Sequence, residues 1–149
     1  MEKDAIVQQT RVENEALEFV TMALERTIAW PVQGGEFTRK LSSLRFMTES
    51  FQRHMERLFA LEELDGYMDV VCRLHPEMSG DVDELKNQQE KLRNTIRQLI
   101  LKLERTPPGD LVVFNAICEE LQSLIKWLRQ YNQIEKQLLV AAGLHQTDQ

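Results

Sequence analysis

The stretch DVDELKNQQEKLRNTIRQLILKLER, residues 81–105, decides the architecture of the chain. Within it Val82, Leu85, Gln89, Leu92, Ile96, Leu99 and Leu103 follow one another in alternating steps of three and four. That spacing returns side chains to one side of a helix with 3.6 residues per turn, and the two-residue period of a strand cannot match it. The opposite side is charged, so the segment reads as an amphipathic helix with one face to bury. Its edges are marked as well. His75-Pro76 and Ser79-Gly80 precede it, and Thr106-Pro107-Pro108-Gly109 follows it. A residue before proline is pushed out of the helical region, which ends one helix and separates it from the next. Asp81, with Glu84 three residues on, resembles a capping box.

The same period and punctuation extend outward in both directions. Toward the N-terminus, Trp30-Pro31-Val32-Gln33-Gly34-Gly35 separates two periodic runs. The first carries Ile6, Thr10, Asn14, Leu17, Val20 or Thr21, Leu24 and Ile28. The second carries Leu41, Leu44, Phe51 and Leu58, with His54, Met55 and Glu62 on the same side. Toward the C-terminus the series is Leu111, Phe114, Ile117, Leu121, Leu124, Leu128, Tyr131, Glu135 and Leu138. Asp110 is placed to cap that last helix and Gly143 to end it. The spacing predicts helices over 4–29, 36–74, 81–105 and 110–142 and no strand. Long helices joined by short connections pack as antiparallel neighbours. The expectation is therefore a single all-α domain over residues 1–149, an up-down-up-down antiparallel four-helix bundle.

Composition limits what such a bundle does. The net charge of −6 and the scattered Lys and Arg, never denser than Arg39-Lys40, argue against nucleic-acid binding, which needs a concentrated basic face. No apolar stretch suits a signal peptide or a membrane span, so the reading is a cytoplasmic protein without membrane contact. Cys72 and Cys118 have neither metal-ligand spacing nor a disulfide framework and read as buried reduced thiols. Trp30 and Trp127 read as core or contact residues, and no protein partner is named by the sequence. No nucleophile–base pair, phosphate loop or cofactor motif is present, which points away from an enzyme.

Polar residues interrupt each apolar stripe: Thr10 and Asn14, then His54 and Glu62, then Gln89, then Tyr131 with Glu135. A core-facing polar group must find a partner or cost about 1–3 kcal/mol, so their heights along the bundle matter. Asn14 and Gln89 lie at similar distances before the turns of their hairpins, and Leu58 and Tyr131 at similar distances beyond them. The offset within each hairpin is about six residues, or about 9 Å at 1.5 Å per residue. Two similar hairpins then share one polar layer, with Gln89 buried in it and hydrogen-bonded to a neighbour.

The segment Met55-Glu56-Arg57-Leu58-Phe59-Ala60-Leu61-Glu62-Glu63-Leu64-Asp65-Gly66-Tyr67-Met68 resembles the second helix of hemerythrin-like (HHE cation-binding) domains. There a His-Phe-x-x-Glu-Glu stretch is often followed by Gly-Tyr. Leu128 to Leu139 resembles the family's closing His-x-x-x-Glu segment. Glu13-Asn14-Glu15-Ala16-Leu17 and Gln88-Gln89-Glu90-Lys91-Leu92 resemble its Glu-His-x-x-Leu segments. The similarity spans nearly the whole chain. It implies a hemerythrin-like bundle and, in the family, a non-haem iron pair held by histidines and bridging carboxylates.

Carried over by position, the family's histidines correspond to Asn14, Leu58, Gln89 and Tyr131, and a further one to Arg93. Only Glu62 and Glu135 keep the ligand type. The resemblance thus implies a module that has lost its di-iron site and serves in binding, scaffolding or sensing, with no cofactor. The alternative it leaves is an iron-binding protein for oxygen or redox sensing through Glu62, Glu135 and His54. Without metal, the two carboxylates are expected to accept hydrogen bonds from Tyr131, Gln89, Asn14 and Arg93. Like-charge repulsion should then raise at least one of their pKa values. His75, before a proline, and His145, in the tail, stand outside any bundle-core site.

Overall fold

A computed structural model describes residues 2–31, 36–63 and 66–144, with side chains from Ala5 onward. Helix α1 spans Glu2–Ala29, α2 Phe37–Glu63, α3 Tyr67–Leu74, α4 Ser79–Glu104 and α5 Leu111–Ala141, with a 3₁₀ turn at Pro76–Met78. The chain is all-α: α1, α2 continued by α3, α4 and α5 form an antiparallel four-helix bundle. The two apolar series of α4 and α5 face its core. Val82, Leu85, Leu92, Ile96, Leu99 and Leu103 are buried from α4, and Phe114, Ile117, Leu121, Leu124, Leu128 and Leu138 from α5. Leu111, expected in the same stripe, is exposed, because the first turn of α5 stands clear of its neighbours.

The second run is two helices rather than the single one expected over 36–74. Gly66 breaks it. A Cβ on Gly66 would lie 1.9 Å from the Leu61 carbonyl oxygen and 2.6 Å from that of Glu62. The chain folds back on itself there at a distance no side chain permits. After the bend, Gly66 accepts from the Val70 amide and α3 restarts with Tyr67, Met68, Val70 and Val71 buried.

Capping follows local chemistry more than the sequence pattern. Asp110 accepts from the Val113 amide at 3.2 Å and caps α5 as expected. Gly143 takes φ +74°, and its amide and that of Leu144 reach the carbonyls of Val140 and Leu139, the Schellman arrangement. Asp81, however, is not the cap of α4, because the 3₁₀ turn feeds straight into a helix that begins at Ser79, so Asp81 sits inside the first turn.

Charged side chains tie the helix ends together. Lys40 is buried and donates to the carbonyls of Ile28 and Trp30, closing the end of α1, with its ammonium over the Phe114 ring. Arg45 does the same for α4 at the carbonyls of Leu103 and Glu104. His75 meets the Ala142 carbonyl at the end of α5. Arg129 grips Glu25 with both terminal nitrogens, at 2.8 and 2.7 Å, and reaches Glu18, joining α5 to α1. Trp127, half-buried, donates to Gln88, whereas Trp30 is exposed and lies outside the core. Both cysteines are free thiols, Cys118 buried and Cys72 half-buried. His145 lies outside the described residues.

Candidate functional site

Of the polar interruptions, Asn14, Glu62, Gln89, Tyr131 and Glu135 meet at one level of the bundle, while Thr10 bonds to the Ile6 carbonyl of its own helix. Asn14 from α1, Glu62 from α2, Tyr67 from α3, Gln89 from α4, and Tyr131 with Glu135 from α5 form a connected layer in the core. Glu62, Tyr67, Gln89, Tyr131 and Glu135 are buried, and Asn14 is half-buried. Two short chains of hydrogen bonds run through it. On one side the Gln89 amide donates to the Tyr131 hydroxyl at 2.7 Å, and that hydroxyl donates to Glu62, at 3.2 Å from Oε2. On the other, Glu135 accepts from the Tyr67 hydroxyl at 2.9 Å and from the Asn14 amide at 3.1 Å. Phe59 stacks edge-on to Tyr131, with ring centroids 5.4 Å apart, and Leu58 is fully buried on the same helix.

With the amide oxygens counted, the layer holds more acceptor oxygens than donor groups. The oxygens of the Asn14 and Gln89 side chains are buried with no protein partner. Burial pushes the Glu62 carboxyl well above its ordinary range, and the nearby Glu135 charge pushes it further. Protonated, Glu62 donates to Glu135, which adds the missing donor and removes one of two adjacent charges. Burial and the same two carboxylates raise both tyrosine hydroxyls, so both remain donors. The arrangement is a pair of buried carboxyl groups flanked by two phenols. Desolvation acts first on Glu62, ahead of the like-charge repulsion that the sequence suggested.

Two sequence-derived expectations change. Arg93 does not enter the layer. Its guanidinium lies over the Phe59 ring and binds Glu56 at 3.1 Å and Glu63 at 3.3 Å toward the surface. At a long, partly exposed side chain, an external acidic pair is a better partner than a buried one that would have to be reached past Phe59. Gln89 also feeds Tyr131 rather than a carboxylate directly. Tyr67 is the residue that periodicity missed, because it lies beyond the bend at Gly66. The Gly66-Tyr67 dipeptide was its signal.

His54 stands apart from the layer. It precedes Glu62 by eight residues on α2, about 12 Å along the axis and about 80° around it. Its Nδ1 is buried without a protein partner. Among the described residues, no three His, Cys, Asp or Glu side chains gather into a group able to hold a metal ion, so His54, Glu62 and Glu135 do not form one. Among the same residues, no helix is long and apolar enough to cross a membrane.

A model of the hemerythrin HHE cation binding domain matches residues 8–142, nearly all of the bundle. The chain belongs to that family. Neither a curated protein nor a solved structure matches it. The hemerythrin match runs from the second turn of α1 to the end of α5, so it includes every residue of the polar layer.

Proposed function

We propose that this hemerythrin-family bundle has exchanged a di-iron site for a hydrogen-bonded polar layer, and acts as a non-catalytic binding, scaffold or sensory module of the cytoplasm. The observation that carries the reading is the occupation of both carboxylates. Glu135 is held by Asn14 and Tyr67, and Glu62 by Tyr131, all from the chain itself. A ferrous or ferric pair asks for imidazole and carboxylate donors free to turn toward the metal.

The side chains at the positions corresponding to the family's histidines do not fit that requirement. Leu58 has no lone pair to offer. Asn14 and Gln89 present amides, whose N–H groups are already directed at Glu135 and Tyr131. Tyr131 is a phenol whose ionisation is opposed by burial and by two carboxylates. The chain contains three histidines, His54, His75 and His145. Of these, His54 is a helical residue away from the layer and His75 closes the end of α5.

The test is metal analysis of protein purified from iron-supplemented cells, together with its absorption spectrum. The expected result is iron far below one atom per chain and no oxo-bridge band; stoichiometric iron with such a band would overturn the proposal. The positional correspondence is tested separately by placing histidine at 14, 58, 89 and 131 together. If the folded variant gains thermal stability with iron, cobalt or zinc, the four positions converge on Glu62 and Glu135 as the family site requires. No shift in a variant shown to be folded by circular dichroism would refute that correspondence.

A further inference from the structure

Helix α1 carries a second periodic series on the side opposite its core face. Ala5, Gln8, Val12, Glu15, Phe19, Met22, Arg26 and Ala29 follow in alternating steps of three and four, and all eight are exposed. The inner face of the same helix, through Leu17, Thr21, Leu24 and Ile28, is buried in the bundle. Solvent therefore meets an outer seam about 36 Å long at 1.5 Å per residue, with the heptad spacing of a coiled coil. Its centre is its most apolar part. Phe19 is 79% exposed, Val12 51% and Met22 45%. An exposed helix face in a single folded unit has no reason to repeat large apolar residues at heptad spacing.

The charges on the seam identify its occupant. Glu15 stands one heptad step before Phe19, and Arg26 one step after Met22. If a second α1 is laid antiparallel with its Met22 opposite Phe19, then Glu15 faces the second copy's Arg26, and Val12 faces its Ala29. The two-fold axis repeats every contact. Both charge pairs then have opposite signs, and the aromatic ring meets the polarizable thioether at both central layers. A parallel pairing in register would stack Glu15 on Glu15 and Arg26 on Arg26, so the sequence selects one orientation. Arg26 makes no ion pair among the described residues, while Glu15 has only the exposed Arg11 of its own helix at 3.3 Å.

We infer that two copies of this chain associate through the outer face of α1, antiparallel about a two-fold axis between Phe19 and Met22, with Glu15 of each facing Arg26 of the other. The inference does not depend on the fate of the metal site, since the seam faces away from the layer.

Light scattering and sedimentation of the full chain over a range of concentrations test it. The expected mass is twice that of the chain at high concentration, falling to the single chain on dilution. Arg26→Glu turns two attractive contacts repulsive and should weaken self-association about thirtyfold. Glu15→Arg combined with Arg26→Glu restores opposite signs across the axis and should restore the dimer. Phe19→Lys, at a solvent position of the monomer, should abolish association with unchanged helical circular dichroism. A single-chain mass at every concentration would overturn the inference. So would a dimer that survives Phe19→Lys, or a doubly reversed variant that stays as weak as Arg26→Glu.

Discussion

Replacing Glu62 by glutamine should make the protein more stable at neutral pH, although it removes an ionisable side chain from the heart of the layer. In the unfolded chain this carboxyl titrates at its ordinary 4.5. In the fold, burial and then the Glu135 charge push it well above that value. Between those two values the folded protein holds a proton that the unfolded chain has released. Stability contributed by Glu62 is then complete below the unfolded value and declines as pH rises toward the folded one. One proton gives a slope of about 1.4 kcal/mol per pH unit. Glutamine is neutral at every pH and copies the protonated acid: its amide donates to Glu135 and its carbonyl accepts from Tyr131. The stability of Glu62→Gln minus that of the native protein should therefore be near zero below the unfolded value. It should widen by about 1.4 kcal/mol per unit above it, and level off once Glu62 ionises in the fold. Urea denaturation followed by circular dichroism at a series of pH values measures this difference, in which the carboxylates elsewhere cancel. A difference that does not change with pH, or a variant less stable throughout, would refute the account of a protonated Glu62.

The neighbours of that pair give three further expectations. Tyr67→Phe leaves Glu135 Oε2 buried without its donor and should cost about 1–3 kcal/mol in denaturant titrations, whereas a loss below measurement error would mean that the phenol is not holding the carboxylate. Gly66→Ala forces a Cβ onto the Leu61 and Glu62 carbonyls and should cost more than about 2 kcal/mol; an unchanged melting temperature would show that the bend tolerates a side chain. Gln89→Leu removes both the amide donor to Tyr131 and an unpartnered buried oxygen. The two effects oppose each other, so the net change should stay within about 1 kcal/mol, and a loss of several would show that the amide supports a carboxylate through Tyr131.

The fold was legible because its evidence was periodic. Steps of three and four in residues 81–105 are unambiguous, and the prolines and glycines at the turns separate runs that only antiparallel packing can bury. The site was half legible for the same reason. Asn14, Gln89, Tyr131 and the two glutamates stood out as polar residues on apolar stripes, and their matching heights placed them at one level. What the pattern could not carry was direction. Arg93 lies one turn after Gln89, close enough in sequence to suggest the layer, but its long side chain exits over Phe59 to Glu56 and Glu63. Tyr67 was hidden because a bend resets the helical phase, and no count of threes and fours crosses Gly66. Lys40 was hidden because a lysine reads as surface, and only the ends of α1 explain its burial.

The layer also explains why two carboxylates persist in an otherwise apolar core. Each donor serves another member: removing Asn14 or Tyr67 strands one oxygen of Glu135, and removing Tyr131 takes a donor from Glu62 and the acceptor from the Gln89 amide. A buried group left without its partner costs about 1–3 kcal/mol, more when it is charged, while replacing a whole network by apolar side chains of similar volume is often neutral or stabilising. Erasing the layer is therefore uphill for each of those single substitutions and favourable only when several occur together. The exception is the change that removes the titratable proton and keeps every hydrogen bond, Glu62 to glutamine. A bundle can thus retain a buried acid pair for reasons of mutual hydrogen bonding alone, without any catalytic demand on it. The two glutamates by themselves consequently say little about metal chemistry; what distinguishes a metal centre from a structural layer is whether their oxygens are free to turn away from the donors around them.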